Sequence, residues 1–205
     1  MTVTRDQFRE GYTWDEWLEV VGENREAWRS RYEEARLGEL RAEYQLVPGA
    51  RYVLCVVDEA CTDSMGTVPY IAKACEQAGA AEGVELRIFS RREHPELLRQ
   101  FQSQARLATP VCVVFDDAWV QVGRWGPRPE AAARFIAHWQ PDAEGDSLDQ
   151  ALDLWYSADQ GRSTLREFLA VLRGQGVEPW RAGRRASQRL WKQAEEAGGE
   201  PERAV

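Results

Sequence analysis

The sequence predicts an α/β protein in which helices flank a central mixed four-stranded sheet and add an extension at each end of the chain. Two observations carry this prediction. Short apolar runs alternate with stretches of helical periodicity in the middle of the chain, whereas both ends show helical periodicity only. The chain therefore divides into an N-terminal helical extension (1–46), a central domain (47–140) and a C-terminal helical extension (141–205).

The N-terminal extension contains two predicted helices. Thr13 and Glu16 are spaced as a capping box, in which the two side chains satisfy backbone N–H groups at a helix start. Gly22 ends this helix, and a second one begins near Asn24. Their apolar stripes consist of Trp14, Trp17, Leu18 and Val21, and of Trp28, Tyr32 and Ala35. A turn at Pro48-Gly49 then marks the boundary of the extension.

The first half of the central domain is predicted as strand, helix, strand. "RYVLCVV" (51–57) is a buried strand, "CTDSMGTVPYIAKACEQAG" (61–79) a helix, and "VELRIFS" (84–90) a second strand. Because a helix links the two strands, we expect them to be parallel.

The second half is predicted as helix, strand, strand, helix. "HPELLRQFQSQ" (94–104) is a helix with a proline in its first turn, and "PEAAARFIAHW" (129–139) is another. Between them, "PVCVVF" (110–115) and "AWVQVGRW" (118–125) are strands joined through Asp116-Asp117. A link this short forces the two strands to be antiparallel.

The C-terminal extension is predicted to be helical. Ser147 caps one helix, which carries Leu148, Leu152 and Trp155. Thr164 and Glu167 are spaced as a further capping box. A basic helix follows over residues 181–192.

Composition excludes several classes of protein. A net charge of −8 argues against nucleic acid as a partner, including for the basic helix. No apolar run reaches the length of a membrane span, and no signal-peptide pattern occurs, so we expect a cytoplasmic protein without membrane contact. In that compartment four cysteines are expected to be reduced, catalytic or buried rather than a structural disulfide set. Two scattered histidines and no CxxC pair do not predict a zinc site.

Cys61 lies where the first strand ends and the first central helix begins. Unpaired backbone N–H groups and the positive end of the helix dipole stabilise a thiolate there, and thiolate is the nucleophilic form of cysteine. Asp58, Glu59 and Asp63 oppose this effect through like-charge repulsion. The sequence leaves open which effect prevails.

Three further features place Cys61 in a known setting. Thr109-Pro110 precedes the third strand, 49 residues after Cys61, and Pro69 follows Cys61 by eight residues. Together with "DEACTDS" (58–64) and "VGRWGPRP" (122–129), they resemble a group of bacterial thioredoxin-like proteins with W-C-x-D-[CAS] and W-G-P-R-P motifs. The resemblance implies a thioredoxin-like fold, with a cis peptide bond at Pro110 facing Cys61 and Thr109 docking the substrate backbone.

The sequence departs from that family pattern at three positions. Ser64 replaces the resolving cysteine, so a mixed disulfide on Cys61 needs an external thiol for release. Ala60 replaces the usual tryptophan beside the cysteine. Cys55 stands where thioredoxins keep a buried acid that accepts protons.

The other cysteines do not offer Cys61 an obvious partner. Cys75 lies fourteen residues along the same predicted helix, about 21 Å away, whereas a disulfide needs Cα atoms within about 7 Å. Cys112 is expected on a strand beside that of Cys55. We predict that Cys55, Cys75 and Cys112 are small buried apolar residues.

Arg124 and Arg128, in the loop after the hairpin, have two interpretations. They bind an anionic thiol ligand or a partner carboxylate, or they form local ion pairs while Trp125 and the prolines fix the loop.

Two functions follow as hypotheses. The first is a thiol-disulfide oxidoreductase of monothiol (CxxS) type, with Cys61 as nucleophile, Ser64 bonding its sulfur, and Thr109 and Pro110 docking the substrate. Its partners are a protein disulfide or a low-molecular-weight thiol as co-substrate, and no cofactor or metal is expected. The alternative is a redox-inactive protein that binds a protein partner through the groove between Cys61 and cis-Pro110.

Overall fold

The computed structural model describes residues 3–78, 83–101, 108–141 and 147–175. The N-terminal extension forms four short helices within this part of the chain. They are α1 (Arg5–Arg9), α2 (Trp14–Val20), α3 (Arg25–Glu34) and α4 (Arg41–Gln45), with 3-10 turns at Gly22–Asn24 and Gly38–Leu40. The capping box of Thr13 and Glu16 is confirmed, and Thr4 and Gln7 form an equivalent one at α1.

The central domain follows the predicted order of elements. Its strands are β1 (Arg51–Val57), β2 (Val84–Ser90), β3 (Val111–Phe115) and β4 (Gln121–Trp125). Its helices are α5 (Thr62–Gln77), α6 (Pro95–Phe101) and α7 (Glu130–His138). The C-terminal extension adds α8 (Leu148–Asp159), capped by Ser147 as predicted, and α9 (Arg162–Leu172).

The four strands form one mixed sheet in the order β2-β1-β3-β4. β1 pairs with β2 in parallel, while β1 with β3 and β3 with β4 are antiparallel. The predicted fold class, a mixed four-stranded sheet flanked by helices with helical extensions, is therefore confirmed. The N-terminal extension also reaches the sheet directly, because the backbones of Tyr12 and Ile88 exchange two hydrogen bonds of 2.8 Å.

The two faces of the sheet bury different elements. On one face, α5 and the two extensions share a core that includes Trp17, Trp28, Tyr44 and Phe168. On the other face, α1 and α6 pack against the sheet through a smaller core. α5 therefore lies between the sheet and both extensions, and it packs against α3, α8 and α9.

Two local predictions are wrong. Thr164 and Glu167 do not cap α9, whose N-cap is Gly161; Thr164 is buried in the third position of the helix instead. The loop between β3 and β4 covers residues 116–120, so it is longer than the predicted turn at Asp116-Asp117. The Asp116 side chain accepts the Val120 N–H at 2.8 Å and holds this loop.

Two further predictions concern the basic helix and membrane spans. The basic helix predicted over 181–192 lies outside the described residues. Among the helices of the described ranges, none is both long and apolar enough to cross a membrane.

Candidate functional site

Cys61 is the N-cap residue of α5, and its side chain is partly exposed. Its backbone N–H donates to the Asp58 carbonyl at 3.2 Å, and its carbonyl accepts from Met65 N–H at 2.9 Å. The chain therefore turns tightly from the end of β1 into α5. This turn leaves the thiol at the helix start, where the dipole of a sixteen-residue helix favours negative charge.

The Thr109 carbonyl, just before Pro110, lies against the Cys61 sulfur. The peptide bond between Thr109 and Pro110 is cis, and the Cys61 thiol donates to the Thr109 carbonyl at 3.4 Å. Since β3 begins at Val111 beside β1, the sheet brings the two segments together across 48 residues of sequence. Thr109 is only 4% exposed, so most of its surface is already covered.

Ser64 is fully buried one turn after Cys61. Its hydroxyl accepts the Asp58 backbone N–H at 3.4 Å. The expected hydrogen bond from Ser64 to the sulfur does not occur among the contacts of the described residues. Ser64 instead ties α5 to the end of β1, which fixes the loop that carries Cys61.

The remaining cysteines are unsuited to resolving a disulfide on Cys61. Cys55 and Cys112 are buried as predicted, but a disulfide joins them, which corrects the expectation that the cysteines form no structural disulfide. The strand register explains the pairing, because the two residues face each other on β1 and β3 with Cα atoms 4.1 Å apart. Burial raises the pKa of the Cys75 thiol and keeps it neutral.

A cluster of three polar side chains adjoins Cys61. Asp63 is 4% exposed, forms an ion pair with Arg128, and accepts a hydrogen bond of 2.5 Å from the Tyr156 hydroxyl. Burial raises the pKa of the Asp63 carboxyl, whereas the Arg128 charge and the Tyr156 hydrogen bond act in the opposite direction. Arg128 therefore forms a local ion pair, which is one of the two roles considered for it, and its partner Asp63 lies two residues after the candidate nucleophile Cys61.

The loop that supplies Arg128 is fixed against the Pro110 turn. Trp125 is buried at its start, and its indole N–H donates to the Glu167 carboxylate at 3.0 Å. Gly126 follows with a φ of 117°, and a Cβ there would lie 2.2 Å from the Pro110 carbonyl oxygen. Glycine is therefore required, and the close approach sets the path of the chain toward Arg128.

Three of the residues named above, Cys61, Asp63 and Arg128, line one cavity of about 290 Å³. Its polar wall includes Cys61, Asp63 and Arg128, and its apolar wall includes Ile136, Leu148 and Leu152. The volume suits a small ligand or one side chain of a larger partner better than an extended polypeptide. Among the described residues, no group of three or more His, Cys, Asp or Glu side chains could hold a metal ion.

Tyr156 is the site residue that sequence reasoning missed. It lies 93 residues after Asp63, and nothing local in the sequence relates the two. A signal was present in Gly66, because a glycine inside a helix is unfavourable unless another group needs the space. A Cβ at Gly66 would lie 2.3 Å from the Tyr156 ring.

The comparisons with known proteins bear on the fold and the family. A family model described as thioredoxin matches residues 11–142. The chain belongs to the thioredoxin family. This match ends before α8, so Tyr156 lies outside it. No curated protein matches the chain in sequence.

Two solved structures share the fold at 18% sequence identity. A protein of unknown function from Pseudomonas aeruginosa has a TM-score of 0.67 and covers 85% of this chain and 100% of its own. An HIV epitope scaffold has a TM-score of 0.64, with coverage of 84% and 99%. These similarities extend the shared architecture beyond the thioredoxin match and say nothing about activity.

Proposed function

We propose that this thioredoxin-family protein carries out thiol-disulfide exchange of the monothiol type, with Cys61 as its nucleophile. The observation that carries the proposal is that the Cys61 thiol, at the start of α5, is partly exposed and lines a small cavity. A partly exposed thiol at a helix start is placed to react as thiolate, whereas the buried Cys75 is not.

The reaction consists of two exchanges. The Cys61 thiolate attacks one sulfur of a disulfide; that bond breaks, a mixed disulfide forms on Cys61, and the departing thiolate takes a proton from water. An external thiol, as thiolate, then attacks the sulfur bonded to Cys61; a new disulfide forms and Cys61 leaves as thiolate. The group that Cys61 carried and the external thiol end in that disulfide, so no second cysteine of the chain is needed.

Each site residue has a role in this scheme. The start of α5 stabilises the Cys61 thiolate, and Ser64 holds the loop around it. Thr109 orients the sulfur, because its carbonyl accepts from the Cys61 thiol. The small cavity favours a low-molecular-weight thiol as the co-substrate, with a single exposed cysteine of a protein as the other partner.

Mass spectrometry tests the proposal directly. We expect glutathione disulfide to add one glutathione to the native protein at Cys61, and dithiothreitol to remove it. Cys75→Ser should react like the wild type, and Cys61→Ser should not react. Failure of the folded wild type to form the adduct would contradict the proposed chemistry.

A redox-inactive protein that binds a partner through the same groove is the second candidate. It is favoured by the lack of a second free thiol near Cys61 and by the acids that surround it. The pH dependence of Cys61 alkylation separates the two functions. A midpoint below about 7, together with adduct formation, supports exchange, whereas a midpoint at or above about 8.5 supports the binding role.

A further inference from the structure

Asp63 is an unusual residue to find buried. Among the Asp, Glu, Lys and Arg residues that the structure describes, it is the one that is buried. Removing a carboxylate from water is costly unless a cation and hydrogen-bond donors compensate for the lost hydration. Arg128 and Tyr156 supply this compensation, so the three residues form one electrostatic unit.

Separate parts of the chain build this unit at the cavity of Cys61. Asp63 comes from the first turn of α5, Arg128 from the loop after β4, and Tyr156 from α8 in the C-terminal extension. Gly66 leaves the space that the Tyr156 ring needs. Three elements therefore converge beside the cavity that Cys61 lines.

The charged and titratable groups around Cys61 are mostly acidic. They are Asp58 and Glu59 before it, Asp63 after it, Asp149 and Tyr156 on α8, and Arg128. Asp58 and Glu59 are paired with Arg91 and Arg92 at 3.4 Å and 3.7 Å. Among the described residues that line the cavity, Arg128 is the one cation, and its Nε is buried without a hydrogen-bond partner.

We propose that Arg128 stabilises the Cys61 thiolate across the cavity, and that Asp63 and Tyr156 are positioning residues that hold the guanidinium there. The proposal deepens the proposed function and rests on it. Asp63 has a double effect, because it fixes Arg128 in place but also offsets part of its positive charge. The reactivity of Cys61 then depends on the balance between the two charges.

Two substitutions should shift the pH midpoint of Cys61 alkylation in opposite directions. Arg128→Gln removes the cation and should raise the midpoint by about 0.5 to 1 pH unit. Asp63→Asn leaves the cation uncompensated and should lower the midpoint by a similar amount. The double variant should return close to the wild type. A merely structural role would loosen the site in both single variants and move both midpoints the same way.

The measurement is the rate of iodoacetamide alkylation at Cys61 against pH, on the full chain, with circular dichroism to verify folding. Arg9→Gln, an exposed residue far from the site, is the matched charge control and should leave the midpoint unchanged. Tyr156→Phe keeps the ring but removes the hydroxyl that donates to Asp63; it should raise the midpoint, since the Asp63 charge near Cys61 is then less compensated.

The results separate this inference from the proposed function. Shifts of equal sign, or no shift, in the folded Arg128 and Asp63 variants would overturn the inference even if the glutathione adduct forms. Opposite shifts of the alkylation midpoint without any glutathione adduct would support the role of Arg128 and contradict thiol-disulfide exchange as the function. If Arg128→Gln does not fold alone, the double variant is compared with Asp63→Asn, and a midpoint no higher than that of Asp63→Asn overturns the inference.

Discussion

Gly66 determines how closely α8 approaches the helix that carries Cys61. The Tyr156 ring occupies the space where any other residue at position 66 would place its Cβ. The ring is fully buried, and its hydroxyl ends at Asp63. One missing side chain in α5 therefore permits a hydrogen bond to a residue from a distant part of the sequence.

Gly66→Ala should lower the free energy of unfolding by about 1 to 3 kcal/mol, because the overlap outweighs the better helix propensity of alanine. Urea denaturation measures this change. In a Tyr156→Ala background the same substitution should be neutral or stabilising. An equal loss in both backgrounds would show that the Tyr156 ring is not the cause.

Asp63 should make stability depend on pH with a defined sign. Burial raises the pKa of its carboxyl above the ordinary value of 3.8, so the folded protein binds the proton more tightly than the unfolded chain. Its contribution to stability is therefore fully present below that value and is lost as pH rises through the raised pKa.

Urea denaturation of the wild type and Asp63→Asn between about pH 3.5 and about pH 7 isolates this contribution. The free energy of unfolding of the wild type, minus that of the variant, should fall as pH rises. An increase over this range would mean that the ion pair with Arg128 outweighs desolvation and lowers the pKa.

At the scale of elements, the two extensions are connected through a buried hydrogen bond. The Tyr44 hydroxyl in α4 donates to the Leu165 carbonyl in α9 at 2.6 Å, and Tyr44 is fully buried. Tyr44→Phe should therefore cost about 0.5 to 1.5 kcal/mol of unfolding free energy. Tyr12→Phe, which removes an exposed bond of 3.2 Å to Glu93, is the control and should cost less. Equal losses of unfolding free energy in the two variants would show that the buried hydrogen bond of Tyr44 stabilises the protein no more than an exposed one.

The order of strands and helices was predictable because each strand is a continuous apolar run and each helix has its own periodicity. The nearness of Cys61 and Pro110 rested on spacing and family resemblance, since no local pattern joins residues from different strands. Glu167 shows why a local capping pattern can fail. The pattern predicts that it caps a helix, but its carboxylate accepts hydrogen bonds from the Trp125 indole and the Glu130 backbone N–H. Long-range partners compete with local ones, and the sequence alone does not rank them.

At the scale of the whole molecule, the fold places the four cysteines in three environments. Cys55 and Cys112 form a disulfide inside the sheet, and Cys75 is buried in α5. Only Cys61 among these has a partly exposed thiol. In the native protein a thiol reagent should therefore react with Cys61 and not with the buried cysteines.

Counting thiols with Ellman's reagent tests this division. The native protein should show one fast-reacting thiol, the denatured protein two, and the denatured and reduced protein four. Cys61→Ser should abolish the fast reaction and lower the other counts by one. Four thiols on denaturation without a reductant would show that Cys55 and Cys112 are reduced in the purified protein.

The bridge between Tyr12 and Ile88 bears on how the protein behaves at high concentration. β2 is an edge strand, and an exposed edge is where a strand of another molecule can add to a sheet. Here the N-terminal segment already takes both backbone groups of Ile88, with Gly11 packed closely against the Phe89 ring. A neighbouring molecule would have to displace this segment before its strand could pair at Ile88, so the bridge blocks strand addition at this point of the β2 edge.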